Sequence, residues 1–413
     1  MSQTPPYTPV FEVASATFED SKTVSSTSGT SLRTDTITVD TTNVSNSAAT
    51  DSFYYSPTSP APHKFDNTHD LLSNLLDTKC QVSSKLPEIP KTSSKTNSPV
   101  PYKLKTEHLE SFVLSPEVFE IKLDKMIGKG SNSYVHLATL ATREVNSVAM
   151  NIAIKIPTAK NKVKLLERET EFMLTLRDYR DSKWFRKFGD SSFPFVDAYG
   201  LYYLSKSQFP MMKKTDTLPC LLMKNYDTDL YKFINEKKQT TQATEPAIGL
   251  DNWYQLLDFI LKGLQVLQDI GAVHCDIKTD NILVGTTLGP RPIFKFIDFT
   301  SSSKIIDIHE QPEMTLQFTP PELLKDQTKL PDYATDLYSA GLVLLQAATG
   351  LPPYSGYDYD PYYLISLVKE GKVFELLTRE ETNRITGNSH VHQILDAILL
   401  KRRSLEEVIG LSQ

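Results

Sequence analysis

The sequence predicts an α+β fold that follows a long tail without a hydrophobic core. Of the first 100 residues, 35 are serine or threonine, and a globular pattern begins only near Ser111. Residues 119–127 and 148–156 then show the apolar pattern of strands. Residues 162–176, 230–236 and 253–270 repeat apolar side chains at helical spacing. Strand-like segments therefore precede most of the helix-like ones, which is the order of an α+β fold.

Composition limits the compartment and the partners. The chain has 413 residues and a net charge of -6, so no basic field would attract nucleic acid or acidic lipid. Its three cysteines, Cys80, Cys220 and Cys275, have no C-x-x-C spacing and fit a reducing compartment. No signal pattern opens the sequence, and no apolar run approaches the roughly 20 residues that span a bilayer. We therefore expect a soluble cytoplasmic or nuclear protein that binds neither nucleic acid nor membrane.

Residues 1–103 are predicted to be a disordered regulatory tail, because a chain so rich in Ser, Thr and Pro buries too little apolar area to offset its ordering entropy. One short helix is indicated after Asn67-Thr68, with four leucines on one face: Leu71, Leu72, Leu75 and Leu76. Either it docks on a partner or on the folded domain, or it forms transiently without function.

Several Ser/Thr-Pro pairs in the tail suit a proline-directed kinase. Thr4 and Thr8 stand four residues apart in T-P-P-Y-T-P, each before a proline. Such a pair resembles doubly phosphorylated degrons that ubiquitin ligases bind through arginine-lined pockets. The alternative is that a tail of this composition produces the spacing by chance.

Two features of the strand-rich region point to a bound anion. Gly128 and Gly130 lie between strand-like flanks and let backbone amides approach phosphate oxygens, although many hairpins carry such a pair. Lys155 lies in the apolar run Ile152-Ala153-Ile154-Lys155, where a cation requires a phosphate, a carboxylate or both. The helix at 162–176 supplies a carboxylate beside its apolar stripe, Glu169, with Glu171 as the alternative.

The stretch from His274 to Asn281 reads H-C-D-I-K-T-D-N and precedes an apolar run. Asp276 can accept a hydroxyl proton, Lys278 can neutralise charge on a moving phosphoryl group, and the Asn281 amide oxygen can hold a metal. Taken alone, the stretch is also compatible with a polar turn before a buried strand.

Together these motifs resemble the eukaryotic protein kinase family. The resemblance covers residues 119–413 and rests on seven motifs in the family's order: I-G-K-G-S-N-S-Y-V, I-A-I-K, a helix Glu, H-C-D-I-K-T-D-N, D-F-T, P-P-E and D-L-Y-S-A-G. D-F-T-S, the S-Y-V end of the glycine loop and the Ser/Thr-rich tail narrow it towards a fungal branch. The resemblance implies a bilobal fold, with a small strand-rich lobe, a larger helical lobe and ATP between them.

The resemblance also implies a role for each matching residue. The glycine loop would cover the phosphates, Lys155 would hold the α- and β-phosphates, and a hydrophobic pocket would enclose adenine. The implied ATP-binding residues are Ile127, Gly128, Gly130, Val135, Ala153, Lys155, Glu169, Met223 and Leu283. The implied catalytic residues are Asp276 as base and Lys278 beside the γ-phosphate, and the implied Mg²⁺ ligands are Asn281 and Asp298.

The resemblance implies roles for further residues of this sequence. Glu322 would form a buried ion pair with Arg402, and Asp336 would hold the catalytic loop backbone. Lys278 together with Thr315 is the pattern of kinases that act on Ser and Thr. Asp229 and Asp280 match acids that can recognise a substrate arginine; alternatively, Asp229 contacts ribose or caps a helix, and Asp280 is merely solvated.

The sequence departs from the family pattern at four positions. Ser133 and Pro320 are mild changes. Cys275 replaces the Arg that normally receives the activation-loop phosphate, and it is either a small buried thiol or a redox or metal site. Thr300 replaces the Gly of D-F-G, which stiffens the backbone beside Phe299.

Because every ionic group of the site is present, the sequence indicates an active Ser/Thr kinase that uses ATP and Mg²⁺, acts on protein substrates and needs no activation-loop phosphate. We expect it to be controlled through tail phosphorylation and turnover. The alternative is a catalytically weak or inactive kinase-fold scaffold, and a small-molecule kinase is a distant third.

Overall fold

A computed structural model of the protein describes residues 104, 106–143, 149–189, 191–205, 207–209, 217–286, 291–357 and 359–413. Residues 1–103, with Thr4, Thr8, Cys80 and the leucine-rich stretch, lie outside the described residues. The predictions made for that tail therefore remain predictions.

The small lobe is built on a five-stranded antiparallel sheet in the order β1–β2–β3–β5–β4. The strands are β1 (Phe119–Lys129), β2 (Ser133–Thr142), β3 (Ala149–Pro157), β4 (Ala198–Ser205) and β5 (Thr217–Lys224). Apolar side chains from all five strands form one buried cluster within the lobe. The sheet thus carries the glycine loop at the β1–β2 turn and Lys155 on its middle strand.

Two helices belong to this lobe. The short α1 (Glu107–Ser111) precedes the sheet, and the long α2 (Val163–Tyr179) follows β3 and packs against β5. The helix predicted at 162–176 is therefore present, and it extends through a π-helical turn, Arg180–Trp184, into α3 (Phe185–Phe188). Within it, Leu165 is half-buried, whereas Leu166 is 4% exposed.

The large lobe is mainly helical. Its helices are α4 (Leu230–Lys238), α5 (Leu250–Asp269), α6 (Pro321–Lys325), α7 (Tyr333–Thr349), α8 (Pro361–Glu370), α9 (Arg379–Thr386), α10 (Ser389–Leu399) and α11 (Leu405–Ser412). Helix α7 is buried from Thr335 to its end and forms the centre of the lobe. A capping box between Asp332 and Thr335 begins α7, and Gly350 ends it with a φ of 80°, which glycine adopts without strain.

Close packing explains why one position in α7 is a glycine. A Cβ on Gly341 would lie 2.5 Å from Ile398 Cγ2 and 2.8 Å from Leu399 Cδ2 of α10. The two helices can approach this closely because Gly341 has no side chain.

Two small sheets lie at the start of the large lobe. One orders β6 (Thr228–Asp229), β8 (Ile282–Gly285) and β9 (Ile293–Phe296), and the other pairs β7 (Ala272–Val273) with β10 (Ser303–Lys304). Together they fix the loop 274–281 and the segment after Phe296, which carry most of the predicted chemistry. The α+β bilobal fold class is confirmed. No helix within the described ranges combines the length and apolar character needed to cross a membrane.

Candidate active site

Lys155 and its two carboxylate partners lie between the lobes. The Lys155 Nζ is 2.7 Å from the Glu169 carboxylate of α2 and 2.9 Å from Asp298 Oδ1. Lys155 is 7% and Glu169 1% exposed, so the pair is removed from water. Glu171, the alternative partner, instead accepts a hydrogen bond from the Thr106 hydroxyl at 3.3 Å. The carboxylate that pairs with Lys155 is therefore Glu169.

Each charge in this cluster alters the pKa of its neighbours. Desolvation lowers the pKa of Lys155, but the charges of Glu169 and Asp298 outweigh it and raise that pKa above its ordinary value. Desolvation raises the pKa of Asp298, but the Lys155 cation and the Thr300 hydroxyl hold it well below the usual range. Lys155 is therefore a cation and Asp298 an anion at neutral pH.

Thr300 joins this ionic cluster, a contact that the sequence did not predict. Its hydroxyl donates to Asp298 Oδ1 at 2.6 Å and lies 3.4 Å from Lys155 Nζ. Thr300 does not have a positive φ, whereas Asp298 has a φ of 63°. The Thr side chain thus adds a hydrogen bond to the metal-ligand candidate, where glycine would supply none.

Phe299 closes the base of the cluster. It is 1% exposed and stacks on Phe172 of α2 with ring centroids 5.4 Å apart. His274 lies at the same centroid distance on another side. The same helix that presents Glu169 to Lys155 is therefore also packed on the residue that follows Asp298.

The loop 274–281 brings Asp276, Lys278 and Asn281 together. Lys278 Nζ is 2.9 Å from Asp276 Oδ2 and donates to the Thr315 hydroxyl at 2.7 Å. That hydroxyl donates to Asp276 Oδ1 at 2.8 Å, and Asn281 Nδ2 donates to Asp276 Oδ2 at 3.0 Å. The Thr315 hydroxyl thus contacts both Lys278 and Asp276, and the Asp276 carboxylate is fixed on both of its oxygens.

Asp336 in α7 holds the backbone of this loop, as predicted. It accepts the amides of His274 at 2.6 Å and Cys275 at 2.9 Å. Cys275 has a φ of 68°, which is costly for a residue other than glycine. The buried carboxylate of Asp336 therefore stabilises the strained turn that presents Asp276.

The register of the sheet brings several of the predicted ATP-binding residues next to one another. Val135 pairs with Gly128 on one side and Lys155 on the other, and Ala153 pairs with Met223. Ile127 lies at the open end of β1, where it is 44% exposed. The remaining members of the predicted cleft are Gly130 at the β1–β2 turn and Leu283 in β8.

The donor set of Asn281 and Asp298 fits a magnesium ion. The Ile297 amide donates to the Asn281 carbonyl at 3.0 Å, which places Asp298 next along the chain. Asn281 uses its amide nitrogen on Asp276, so its amide oxygen is the atom available to a cation. Within the described ranges no group of three or more His, Cys, Asp or Glu side chains suits a metal. Mg²⁺ does not need one, because it uses one or two protein ligands with water and phosphate oxygens.

Cys275 is a buried thiol of an apolar cluster. It is 8% exposed and packs with Val273 and Ile308, against which Ile305 and Tyr333 also lie. Burial raises the pKa of its thiol, so the group stays protonated at neutral pH. These surroundings favour the packing interpretation of Cys275 over a redox or metal site.

Two further expectations are settled by geometry. Glu322 pairs with Arg402 as predicted, but the burial prediction was wrong: the two side chains are 26% and 31% exposed. Arg402 stacks over Tyr338 at 4.2 Å, which leaves one edge of the guanidinium in solvent. Asp229 caps α4 by accepting the Lys232 amide at 2.8 Å, as one of its alternatives proposed.

Comparison of the sequence with known proteins agrees with the site described above. Residues 207–405 match the protein kinase domain family. The fold and the geometry of the site agree with this match, which covers a little under half of the chain. The chain is 26% identical to the serine/threonine-protein kinase ISR1 of Saccharomyces cerevisiae over 265 residues, or 60% of this chain and 57% of that protein.

Two more relatives give the range of the similarity. The ISR1 kinase of Eremothecium gossypii is 25% identical over 204 residues, covering 49% of this chain and 53% of that protein. Human mitogen-activated protein kinase kinase kinase 5 is 37% identical over 98 residues, covering 23% of this chain and 7% of that protein. The matches thus span a little over half the length of the two fungal relatives.

Removing the Lys155 cation tests the ionic cluster. We expect Lys155→Met to lower the free energy of unfolding by about 3 kcal/mol, because Glu169 is left buried without a counter-charge. Adding Glu169→Gln should recover part of that loss.

The stability loss caused by Lys155→Met should depend on pH in a definite direction. Burial raises the pKa of Glu169 and the Lys155 charge lowers it, so without Lys155 that pKa rises further and the folded variant binds a proton that the unfolded chain releases. The deficit of Lys155→Met relative to wild type should shrink as pH falls from about 7 to about 5. Denaturant titrations at several pH values measure it. A deficit that is independent of pH, and unchanged by Glu169→Gln, would contradict the proposed coupling.

Proposed function

We propose that this protein is an ATP-dependent serine/threonine protein kinase that transfers the γ-phosphate of ATP to Ser and Thr residues of protein substrates. The observation that carries the proposal is the joint geometry of two networks. One joins Lys155, Glu169 and Asp298, and the other joins Asp276 to Lys278 and Thr315. Positioning and charge stabilisation supply most of the catalysis of phosphoryl transfer, and these networks provide both.

Each network has its own task in this proposal. Asp276 accepts the proton of the substrate hydroxyl, and its carboxylate is already oriented by Thr315 and Asn281. Lys278 lies beside the reacting oxygens and offsets their negative charge. Lys155 holds the α- and β-phosphates from a site where Glu169 fixes its direction.

Around the phosphates, the backbone at Gly128 and Gly130 covers ATP, and four side chains enclose adenine. These are Ile127, Val135, Ala153 and Leu283, with Met223 at the back of the pocket. Mg²⁺ bound to Asn281 and Asp298 would neutralise charge on the phosphates. The Asp298 carboxylate suits this task because Lys155 and Thr300 keep it ionised.

Phosphoryl transfer by the purified full-length chain tests the proposal. With labelled ATP, Mg²⁺ and an array of Ser, Thr and Tyr peptides, Asp276→Asn should reduce turnover about 10²- to 10⁴-fold, because the general base is lost. Asp258→Asn, which removes an exposed carboxylate of α5, is the matched control and should leave turnover unchanged.

The outcome of this experiment distinguishes a kinase from a kinase-fold scaffold. Transfer to Ser and Thr peptides that Asp276→Asn abolishes establishes the kinase. ATP binding without turnover in the wild type would contradict it and favour the alternative of a kinase-fold scaffold.

We further propose that activity does not depend on a phosphate in the segment 301–320, the equivalent of an activation loop. Neutral contacts hold this segment in place. Strand β10 pairs with β7, and the Ser302 hydroxyl donates to the His274 carbonyl at 3.1 Å. Ile308, 9% exposed, packs on Cys275. An apolar cluster thus occupies the position where the family pattern has an arginine for the phosphate.

Replacing one residue of that cluster tests this control. Ile308→Asp should lower turnover at least about tenfold, because a buried carboxylate disrupts the packing on Cys275. Ile306→Asp is the matched control, since Ile306 lies in the same segment and is 82% exposed. Phosphatase treatment should leave the wild-type turnover unchanged. A large loss on dephosphorylation would contradict the proposal.

The tail provides the remaining control in this proposal. A kinase that no loop phosphate activates is most simply regulated by its amount, and Thr4-Pro5 and Thr8-Pro9 suit a proline-directed kinase followed by a ubiquitin ligase. This requires the chain to share the cytoplasm or nucleus with both enzymes.

Cellular half-life tests the tail. Thr4→Ala with Thr8→Ala should lengthen the half-life severalfold in a translation-shutoff chase, because the paired phosphates can no longer form. Thr17→Ala with Thr27→Ala, which removes two tail threonines that no proline follows, is the control. An unchanged half-life in the Thr4/Thr8 variant would rule out the degron.

A further inference from the structure

We infer that the segment in front of the sheet, Leu104 and residues 106–114, is a positioning element for the catalytic Lys155–Glu169 pair. We call it the N-terminal brace. The inference rests on the proposed function and extends it, because it assigns a role in catalysis to a segment in front of the sheet that the proposed function leaves without one.

The brace is packed into the core beside helix α2. Leu104, Leu109 and Phe112 are 4%, 0% and 3% exposed and belong to the same apolar cluster as Leu166 and Met173 of α2. Such burial is unusual for a segment that lies at the edge of a Ser/Thr-rich tail. It stabilises the position of α2 as much as that of the brace.

Specific contacts fix the brace on α2. Phe112 lines a small cavity together with Met173, Leu176 and Arg177, and the Arg177 guanidinium lies 5.1 Å over the Phe112 ring. Six residues before Arg177 in the helix, Glu171 accepts a hydrogen bond from the Thr106 hydroxyl at 3.3 Å. The contacts therefore extend along the helix from Glu171 to Arg177.

The other end of the brace is anchored to the sheet. The Leu114 amide donates to the Leu201 carbonyl at 2.7 Å, and the Leu201 amide donates to the Phe112 carbonyl at 2.9 Å. Leu201 lies in β4, the edge strand of the five-stranded sheet. A Cβ on Gly200 would be 2.9 Å from the Phe112 carbonyl oxygen, so the glycine permits this close approach. The brace thus ties α2 to a rigid edge.

The same helix carries the contacts with Lys155 and Phe299. Glu169 reaches Lys155 at 2.7 Å, and Phe172 stacks on Phe299. The start of α2 has no side-chain cap, so packing rather than capping sets its position. A displacement of the helix by about 1 Å would break the Lys155–Glu169 hydrogen bond and misplace the phosphate-binding cation. The brace opposes that displacement through contacts that the chain makes with itself.

A conservative change in the brace tests this role in the full-length chain. Phe112→Leu should lower kcat about tenfold with little change in KM for the peptide, because the chemical step needs the aligned pair more than peptide binding does. Its matched control is Phe119→Leu in β1, which is 2% exposed and packs in the separate cluster of the sheet. Arg177→Met, a change at the surface of the same contact, should give a smaller loss of about threefold.

A double-mutant cycle separates positioning from general damage. If the brace acts through Glu169, then adding Phe112→Leu to Glu169→Gln should cost no further activity. The activity losses of Phe119→Leu and Glu169→Gln should instead multiply, because these two changes act independently. Hydrogen exchange should also show faster exchange of the α2 amides in Phe112→Leu than in Phe119→Leu.

The inference would be overturned if the activity losses of Phe112→Leu and Glu169→Gln multiplied. It would also be overturned if the α2 amides exchanged equally fast in Phe112→Leu and Phe119→Leu. Failure of the proposed function would look different. The wild type would then transfer no phosphate, while hydrogen exchange would still decide whether the brace holds α2.

Discussion

Lys155 brings a positive charge into the interior between the two lobes, and its pairing with Glu169 and Asp298 constrains everything around it. A buried cation without partners costs several kcal/mol, so the fold is stable only where both carboxylates lie within hydrogen-bonding distance. Glu169 comes from α2 and Asp298 from the segment after β9, and this requirement therefore fixes the small lobe, the helix and the large lobe relative to one another.

A second buried charge has the same role in the large lobe. Asp336 accepts the amides of His274 and Cys275, and so compensates the left-handed conformation of Cys275. Because Cys275 is small and apolar, Ile308 packs against it. The loop that carries Asp276 and the segment 301–320 are thus stabilised by the same few contacts.

The sequence predicted the parts of this site that have strict chemical requirements. A lysine within the apolar strand around Ile154 has few explanations, and Asp276, Lys278 and Asn281 have a spacing that their chemistry needs. The sequence left Glu169 and Glu171 open, since both lie near the apolar stripe, and burial and pairing distinguish them only in three dimensions. The partial exposure of the Glu322–Arg402 pair could not be predicted from the sequence either, because it depends on how Arg402 stacks on Tyr338.

The brace shows that a contact that positions a helix need not produce a recognisable sequence pattern. Helix α1 has five residues, too few for an apolar period, and it follows a tail whose composition predicts disorder. The buried Leu109 of α1 and Phe112 after it pack beside α2, which begins more than 50 residues further along the chain, and Gly200 permits the close approach of the Phe112 carbonyl. Non-local packing of this kind depends on which surfaces meet. Lys155 is recognisable in the sequence because its charge is costly to bury, whereas Phe112, which is apolar, incurs no such cost.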